Sequence, residues 1–465
     1  MSGSQRGFFK NLSSATFSNG LTLLVSAFSV FFVPKFIGQE DFGYWQFYVF
    51  LTAYSYVPAL GWNDGVYLRY GGEEYDKLDK RVFSGQFKLL MLFELFLYLV
   101  FFICLPFFSP ADKLTLLICA GSCMLIMAPR YFLVFTLQAT NRITGFSAVL
   151  VLEKILYAAL LAGVLLYGYR GFVPLLVADL IAKGVSLLYA MYLCRDFVFR
   201  RGGPGRGDLA EAKENISAGF KLTLSGMASM LIIGVVRFAI ENKWDIATFG
   251  KVSLSLSFSN YLMMFISAMG IVLFPMLRRA QKERLSEFYS PMCRFITTLL
   301  FTLMLLYYPG SMLLAAWLPK YSDSLVYMSM IFPLCIFESK YVMITNTYLK
   351  TLRREKSLAL INISSVALSL GSTFVLVFVL GSLQATVLSI LLLLIFRGIV
   401  SDIVLSRHMP VKVSGDIIWQ LLLTATFLPP LAGMGAYAAA LAVFYALNLR
   451  DIRGLVPFVR AMAKK

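Results

Sequence analysis

Long apolar runs separated by short polar turns dominate the chain, and their hydropathy predicts fourteen membrane-spanning helices. An α-helix needs about 20 apolar residues to cross the hydrocarbon core of a bilayer, and most of the runs are close to that length. The predicted spans are residues 14–33, 42–60, 86–108, 114–136, 146–168, 172–193, 218–240, 248–277, 293–314, 325–347, 357–379, 384–405, 416–430 and 432–449. The pattern predicts an all-α polytopic membrane protein.

The first two runs form a hairpin that the chain repeats later. Residues 11–70 contain two apolar runs joined by the short turn Pro34–Asp41, and residues 214–277 follow the same order of features. The matched segments are 11–13 with 215–217, 33–36 with 235–238, and 42–43 with 249–250. Internal repeats of hydropathy are common in transporters, whose substrate path lies between the halves. A chance similarity of two apolar hairpins is the alternative.

The repeat predicts two six-helix bundles and a terminal helical hairpin. The segment 194–217 between the repeats is polar and rich in Gly and Pro, which is typical of a linker. Its glycines do not form a phosphate-binding loop, since the Lys-Ser/Thr ending is missing. The predicted parts are residues 1–200 as an N-terminal bundle, 201–217 as a cytoplasmic linker, 218–410 as a C-terminal bundle, and 411–465 as a hairpin with a basic cytoplasmic tail.

The composition supports a membrane protein and excludes several other classes. Of the 465 residues, 59% are hydrophobic and only 14% are charged, whereas a soluble protein carries about 25% charged residues. The net charge is +17, but 30 of the 42 Lys and Arg lie on the side of the N-terminus, in loops or at the ends of spans, and five lie on the other side. This bias predicts that both termini are cytoplasmic, and it explains the basic charge through anionic lipid, without nucleic acid.

Cysteine and histidine offer little for a metal or acid–base site. The six cysteines are scattered through apolar runs, and His408 is the only histidine. We therefore expect no cofactor, no metal site and no catalytic residue.

Charges inside predicted spans are the informative residues, because each is costly in hydrocarbon and usually faces a bundle interior or a wet cavity. Asp179 and Lys183 lie four residues apart on one helix face, as a structural ion pair or as functional groups. Arg130 lies close to a helix end, so we expect it to snorkel to the membrane surface. Seven cations stand against five anions: Arg130, Lys154, Lys183, Arg237, Lys251, Lys340 and Arg397, and Glu94, Glu153, Asp179, Glu338 and Asp402. A cavity with a cationic excess suits an anionic substrate such as a diphosphate.

Two further expectations concern particular segments. Glu338 and Lys340 follow Pro333, where a kink is expected, and their spacing predicts that they have different partners. Glu40 and Asp41 lie in the first outward turn, where a membrane glycosyltransferase would place a catalytic acid. The outward loops are too short to hold an acceptor, so a helix-capping turn is the favoured interpretation.

Three segments resemble the polysaccharide-transporter family of oligosaccharide flippases, within the multidrug/oligosaccharidyl-lipid/polysaccharide exporter superfamily. They are the opening NLSSATFSNG, the turn VPKFIGQEDFGYWQF and the loop GWNDGVYLRYGGEEYDKLDKR. The best of these motifs is the Pro34…Gly38…Gly43 turn. The second half keeps Phe249-Gly250 but lacks the turn proline.

The resemblance implies a flippase that moves a polyprenyl-diphosphate-linked oligosaccharide from the cytoplasmic to the outer leaflet by alternating access. Its context would be the bacterial or archaeal cytoplasmic membrane and the synthesis of O-antigen, lipopolysaccharide or capsule, with polysaccharide polymerase and glycosyltransferases as possible partners. An H⁺ or Na⁺ gradient or substrate exchange would drive it. A cation-coupled drug or metabolite antiporter, using Asp179 or Glu94, is the alternative. The resemblance places Asn19, Arg237 and Lys251 at the cavity; the other candidates from the charge pattern are Asp179, Lys183, Glu338, Lys340 and Arg397.

Overall fold

A computed structural model describes residues 3–279, 285–410, 414–428 and 433–449, and the statements below concern those residues. They form helices and turns without a strand, which confirms the all-α polytopic fold. Nine helices of the described part are long and apolar enough to cross a membrane by length and composition, and Gly20–Phe36 and Met434–Leu447 are shorter apolar helices. The tail beyond residue 449 and the prolines of the terminal hairpin, at 429–430, lie outside the described residues.

The chain divides into two compact units, an N-terminal unit, Met1–Met227, and a C-terminal unit, Ala228–Lys465. In the N-terminal unit α6 packs against α1 and α7, and α5 packs against α3, α4 and α7. The helices are α1 (Gly3–Phe36), α2 (Gln39–Thr52), α3 (Trp62–Arg69), α4 (Lys80–Phe108), α5 (Leu114–Ala139), α6 (Ile143–Leu166), α7 (Val173–Leu193), α8 (Arg195–Val198) and α9 (Arg206–Lys243), which continues into the C-terminal unit.

The C-terminal unit is built around two helices, since α17 packs against α13, α14 and α16, and α10 against α13 and α14. The span predicted for residues 325–347 corresponds to Ser324–Thr351, which is interrupted at Pro333 as expected and contains a π-helical turn at Tyr341–Thr345. The helices are α10 (Ile246–Arg279), α11 (Leu285–Leu303), α12 (Tyr307–Trp317), α13 (Ser324–Ile331), α14 (Leu334–Lys340), α15 (Asn346–Thr351), α16 (Glu355–Phe374), α17 (Leu383–Ser406), α18 (Ser414–Ala425) and α19 (Met434–Leu447).

The two predicted hairpins have the same short connection. α1 ends at Phe36 and α2 begins at Gln39, and α9 ends at Lys243 while α10 begins at Ile246. Both connections therefore contain two residues, although the sequence comparison placed extra residues in the second turn. The hairpins differ beyond the turn, because α10 continues for 34 residues and α2 for 14.

Two predicted boundaries differ from the structure. The span predicted for residues 42–60 ends as a helix at Thr52 and continues as turns to Gly61, in a segment whose Pro58 cannot donate a helical hydrogen bond. The predicted linker 201–217 is helical from Arg206 onward, as the start of α9. The four-part division of the chain stays a prediction.

Glycines allow α3 and the first part of α9 to approach each other closely. A Cβ on Gly65 would lie 1.8 Å from the Asn215 carbonyl oxygen, and one on Gly219 would lie 2.0 Å from the Gly61 carbonyl oxygen. Arg69 at the end of α3 reinforces the contact, since it reaches Glu211 at 2.6 Å and Asn215 at 2.6 Å. The two helices are therefore held together within the N-terminal unit by backbone packing and charge.

We expect Gly219→Ala to lower the melting temperature of the purified protein, because the added methyl group has no space against α3. Overpacking of this kind costs about 1–3 kcal/mol. Gly207→Ala in the same helix is the matched control, since its Cβ would meet nothing within 4 Å. It should leave the melting temperature unchanged or raise it slightly. Equal melting temperatures for both variants would contradict the close contact.

Candidate functional site

The N-terminal unit buries a network of charges at the centre of its helices. Arg130 on α5 is 1% exposed, forms an ion pair with Glu153 on α6, and donates from Nε to Ser186 Oγ on α7 at 2.8 Å. Lys154 Nζ lies 2.9 Å from the other carboxylate oxygen of Glu153. The expectation that Arg130 snorkels to the surface is therefore wrong, because a buried carboxylate and a hydroxyl satisfy the guanidinium inside the bundle.

Asp179 and Lys183 form an ion pair within α7 in the same unit. Lys183 Nζ lies 2.5 Å from Asp179 Oδ2, and the Tyr48 hydroxyl of α2 donates to the same oxygen at 2.7 Å. Cys123 of α5 completes the group, with its Sγ 3.4 Å from Lys183 Nζ. This geometry fits the structural ion pair that the four-residue spacing predicted as one alternative, and a functional role for the pair stays a prediction.

The C-terminal unit contains two carboxylate–cation pairs around α14 and α17. Glu338 forms an ion pair with Arg397, and Lys340 Nζ lies 2.6 Å from Asp402 Oδ2. The prediction that Glu338 and Lys340 have different partners is thus confirmed. Thr345 Oγ1 donates to Asp402 Oδ1 at 3.0 Å from the π-helical turn. All charges of the second pair are therefore satisfied in a region that is almost inaccessible to solvent.

Arg397 has further contacts that hold its guanidinium in place. Its Nη1 donates to Ser229 Oγ at 3.0 Å, and its Cζ lies 4.1 Å from the centre of the Tyr341 ring. The Tyr341 hydroxyl in turn donates to Asn362 at 3.1 Å. The π-helical turn thus supplies contacts to both ion pairs, through Tyr341 to Arg397 and through Thr345 to Asp402.

The cavity candidates of the second hairpin also have partners within the C-terminal unit. Lys251 Nζ lies 3.0 Å from Asp323 Oδ2, and Arg237 Nη2 donates to Ser253 Oγ at 2.9 Å. Arg237 also lies over the Phe249 ring, at 5.1 Å from its centre. Asn19 is in α1, and its side chain lies outside the described part of the structure. Cavity roles for these three residues stay predictions.

The charge balance of the two units differs. In the N-terminal network three cations, Arg130, Lys154 and Lys183, face two carboxylates, Glu153 and Asp179. In the C-terminal unit each carboxylate of α14 and α17 has its own cation. Glu94 brings the carboxylates within the N-terminal spans to three, so this unit is balanced, and the cationic excess expected from the sequence lies with Arg237 and Lys251 of the C-terminal unit.

Glu94 on α4 has a different environment from these paired carboxylates. It is 3% exposed, and its Oε1 has no hydrogen-bond partner among the described residues. Its helix exposes an apolar face, including Leu92, Phe96 and Ile103, that a bilayer would cover. A carboxylate without a partner at such a position is expensive, and residues of this kind mark functional sites by default.

The segment between α1 and α2 that contains Glu40 and Asp41 has a structural role. Asp41 Oδ1 accepts a hydrogen bond from the Phe172 backbone N–H at 3.0 Å, at the start of α7. Arg170 Nη1 donates to the Phe36 carbonyl at 2.7 Å beside it. These contacts fit the capping turn that the sequence favoured over a catalytic acid.

Several contributing residues could not be recognised from the sequence. Ser186, Tyr48 and Thr345 each complete a buried charge network, but isolated Ser, Thr and Tyr residues are frequent in the apolar runs and give no signal. Their partners lie on helices that are distant in the chain, so the contacts appear only when the helices are packed.

The fold is that of known membrane transporters. No family model matches the sequence, and no curated protein matches it. Among solved structures, the lipid II flippase MurJ in an inward closed conformation has a TM-score of 0.62 and 13% identity, over 95% of this chain and 100% of that chain. An inward-facing multidrug resistance MATE family transporter of the MOP superfamily has a TM-score of 0.58 and 13% identity, over 87% of this chain and 95% of that chain. An outward-facing MATE family structure has a TM-score of 0.52. The chain therefore has the fold shared by MurJ and the MATE transporters.

The Lys340–Asp402 pair gives a prediction for stability. Lys340→Met should destabilise the protein by about 3–5 kcal/mol, because it leaves a buried carboxylate without its cation. The double variant Lys340→Met/Asp402→Leu should recover a large part of that loss, since no charge remains unpaired. Thermal melting of the purified single and double variants measures both effects. Additive losses would contradict the pairing.

Proposed function

We propose that the protein is a transporter that moves a polyprenyl-diphosphate-linked oligosaccharide from the cytoplasmic to the outer leaflet of the membrane. The shared fold supports the general class, because the matched structures are transporters and a lipid flippase. The proposed setting is the bacterial or archaeal cytoplasmic membrane with both termini cytoplasmic, and the proposed process is the synthesis of a surface polysaccharide such as O-antigen or capsule.

The observation that carries the proposal is that each buried ion pair among the described residues forms within a single unit. Arg130 with Glu153 and Ser186 connects α5, α6 and α7, and Lys340 with Asp402 connects α14 and α17. Breaking such a pair is costly, so each unit would keep its packing during transport. Two units that stay intact are what alternating access by rocking requires.

The Arg130–Glu153–Lys154 cluster, in which two cations share one carboxylate, supports an anionic head group. Lys154 shares Glu153 with Arg130, and its side chain is 26% exposed, so its ammonium is the most accessible cation of that network. A diphosphate would gain from a partly desolvated cation, while the prenyl chain stays in lipid. We therefore expect the diphosphate to bind at the N-terminal unit.

The first experiment is the sidedness of lipid-linked oligosaccharide in cells depleted of the protein. A membrane-impermeant glycosidase is added to intact spheroplasts, and the protected fraction is measured. We expect full-length lipid-linked units to accumulate and to be shielded from the enzyme, because assembly continues while translocation stops. Restoring the protein should return the units to the accessible leaflet.

Two other results would contradict the proposal. Units that are truncated by a sugar would indicate an enzyme of assembly, such as the glycosyltransferase considered for Glu40 and Asp41. Unchanged units together with increased drug sensitivity would indicate a drug or metabolite antiporter.

The antiporter is the second candidate function, and Glu94 is the observation that favours it. A cation-coupled antiporter needs a carboxylate in the membrane that can bind and release H⁺ or Na⁺. Asp179 is already paired with Lys183 and Tyr48, whereas Glu94 Oε1 has no described partner. Glu94 is therefore the better coupling residue of the two.

If the protein is a cation-coupled antiporter, Glu94→Gln should abolish the uptake of drug or metabolite that a proton or sodium gradient drives in proteoliposomes. The reason is that the amide cannot bind and release the coupling ion. The fold should be retained, since glutamine has the same shape and is neutral. Glu73→Gln, at an exposed loop position, is the control and should keep full uptake. Gradient-driven uptake by the Glu94→Gln variant would contradict this second candidate.

A further inference from the structure

The GWNDG segment at the start of α3 forms one wall of a cavity in the N-terminal unit. The cavity has a volume of about 250 Å³, and α5 provides the opposite wall. Its polar groups come mainly from α3, and its aromatic rings from α5 and the turns before α3. The lining residues used below are Tyr56, Gly61, Asn63, Asp64, Tyr131 and Phe135.

Asn63 presents an unpaired acceptor at this wall. Its side chain is only 4% exposed, and its Nδ2 donates to the Ala128 carbonyl of α5 at 3.2 Å. This bond fixes the amide orientation, and Oδ1 has no donor among the described residues. Buried acceptors are normally paired, so a ligand hydroxyl that displaces the atoms covering Oδ1 would gain a hydrogen bond there.

Asp64 provides a second acceptor beside it. Its Oδ2 accepts a hydrogen bond from the Thr223 hydroxyl of α9, and no described residue donates to Oδ1. Burial raises the pKa of the Asp64 carboxyl, and the hydrogen bond from Thr223 only partly offsets that effect. The free oxygen of a positioned carboxyl group can accept from a ligand hydroxyl when ionised, and the group can donate when protonated.

Aromatic rings form the remaining surface of the cavity. Tyr131 and Phe135 lie one turn apart on α5 with ring centres 6.0 Å apart, and Tyr67 of α3 lies 5.9 Å from Phe135. Tyr56 faces them from the turns between α2 and α3. Rings of this kind bury the apolar face of a ligand, while their hydroxyl groups bind its polar edge.

We propose that this cavity is the carbohydrate subsite of the transporter, in which the hydroxyl groups of a sugar donate hydrogen bonds to Asn63 and Asp64 and its C–H face packs on Tyr131 and Phe135. The inference rests on the proposed function. A hard metal cation fits less well, because three of the lining residues are aromatic, while such ions take six or more oxygen ligands. Few, well-placed polar groups in an apolar wall are typical of a site for an organic ligand.

The packing of α3 prepares the subsite before a ligand arrives. The Gly61–Gly219 and Gly65–Asn215 contacts fix α3 against α9, and α9 also contributes the Thr223 hydroxyl that orients Asp64. Preorganised groups of this kind increase affinity, since their side chains lose little freedom on binding. The segment also precedes Arg69, on the side that the charge bias predicts to be cytoplasmic, where a new substrate would enter.

The test compares two lipids on the full-length protein in lipid nanodiscs. One probe is a polyprenyl diphosphate that carries a single N-acetylhexosamine, and the other is the same polyprenyl diphosphate without sugar. We expect the wild-type protein to bind the sugar-bearing lipid about tenfold more tightly, the effect of one or two hydrogen bonds. Tyr131→Leu and Asp64→Ala should remove this preference while the affinity for the bare lipid is kept.

Two matched controls distinguish the subsite from a general change in the protein. Tyr98→Leu removes an aromatic ring from α4, and Asp76→Ala removes an exposed carboxylate; neither residue lines the cavity. Both should keep the tenfold preference. Asp64→Asn, which preserves the acceptor for Thr223, provides a second variant if Asp64→Ala does not fold, and it should lose part of the preference.

The outcomes separate the subsite from the proposed function. Equal binding of both lipids by the wild-type protein would overturn the subsite and leave the diphosphate-lipid transporter intact. A preference that survives in Tyr131→Leu, Asp64→Ala and Asp64→Asn would also overturn it, because the sugar would then bind elsewhere. Binding of neither lipid would overturn the proposed function and the subsite together.

Discussion

Charge inside a membrane is the constraint on which the arrangement of both units depends. An ionised group in hydrocarbon is costly, and in the described part of the chain the buried ion pairs join a charge to a partner on another helix or one turn away, with Glu94 as an unpaired exception. Arg130 with Glu153 and Lys340 with Asp402 are the central examples. These pairs need not add much stability relative to apolar residues, but a unit that lost one partner would retain an unpaired charge. They therefore specify which helices must stay together.

Much of the fold follows from local sequence properties. Hydropathy locates the long helices, Pro333 marks the break between α13 and α14, and the two-residue spacing of Glu338 and Lys340 places their charges on different faces. The predictions that fail are those that depend on packing between helices that are distant in the chain. Arg130 lies near Pro129 and could snorkel if α5 were alone, yet Glu153 of α6 and Ser186 of α7 bind it inside the bundle. Similarly, the apolar run after Phe42 is long enough for a full span, but the helix ends at Thr52.

The candidate site is predictable only in part for the same reason. The charged residues are visible in the sequence because they are rare in apolar runs, and seven of the eight cavity candidates are charged. The cavity at Asn63 and Asp64 could not be predicted from the sequence. These two residues lie in a segment whose sequence is typical of a loop, and Tyr131 is one aromatic residue among many. The glycines on both sides of Trp62-Asn63-Asp64 were the available sign of a close helix contact. The helix that they contact is α9, about 150 residues further along the chain, so the sequence alone did not identify it. The chain shares its fold with known transporters, and the proposal that its substrate carries an anion and a sugar is based on the chemistry of the site.

The π-helical turn at Tyr341–Thr345 determines where a residue can be deleted from its span. A π-helical turn accommodates one residue more than an α-helical turn, and here it brings Tyr341 and Thr345 to the two buried ion pairs. Each residue of an α-helix turns the chain by about 100°, so a one-residue deletion elsewhere in the span would rotate everything beyond it to another face. A one-residue deletion within the π-helical turn would instead convert it to an α-helical turn and keep the flanking faces in place, at the expense of the contacts that Tyr341 and Thr345 make to the ion pairs.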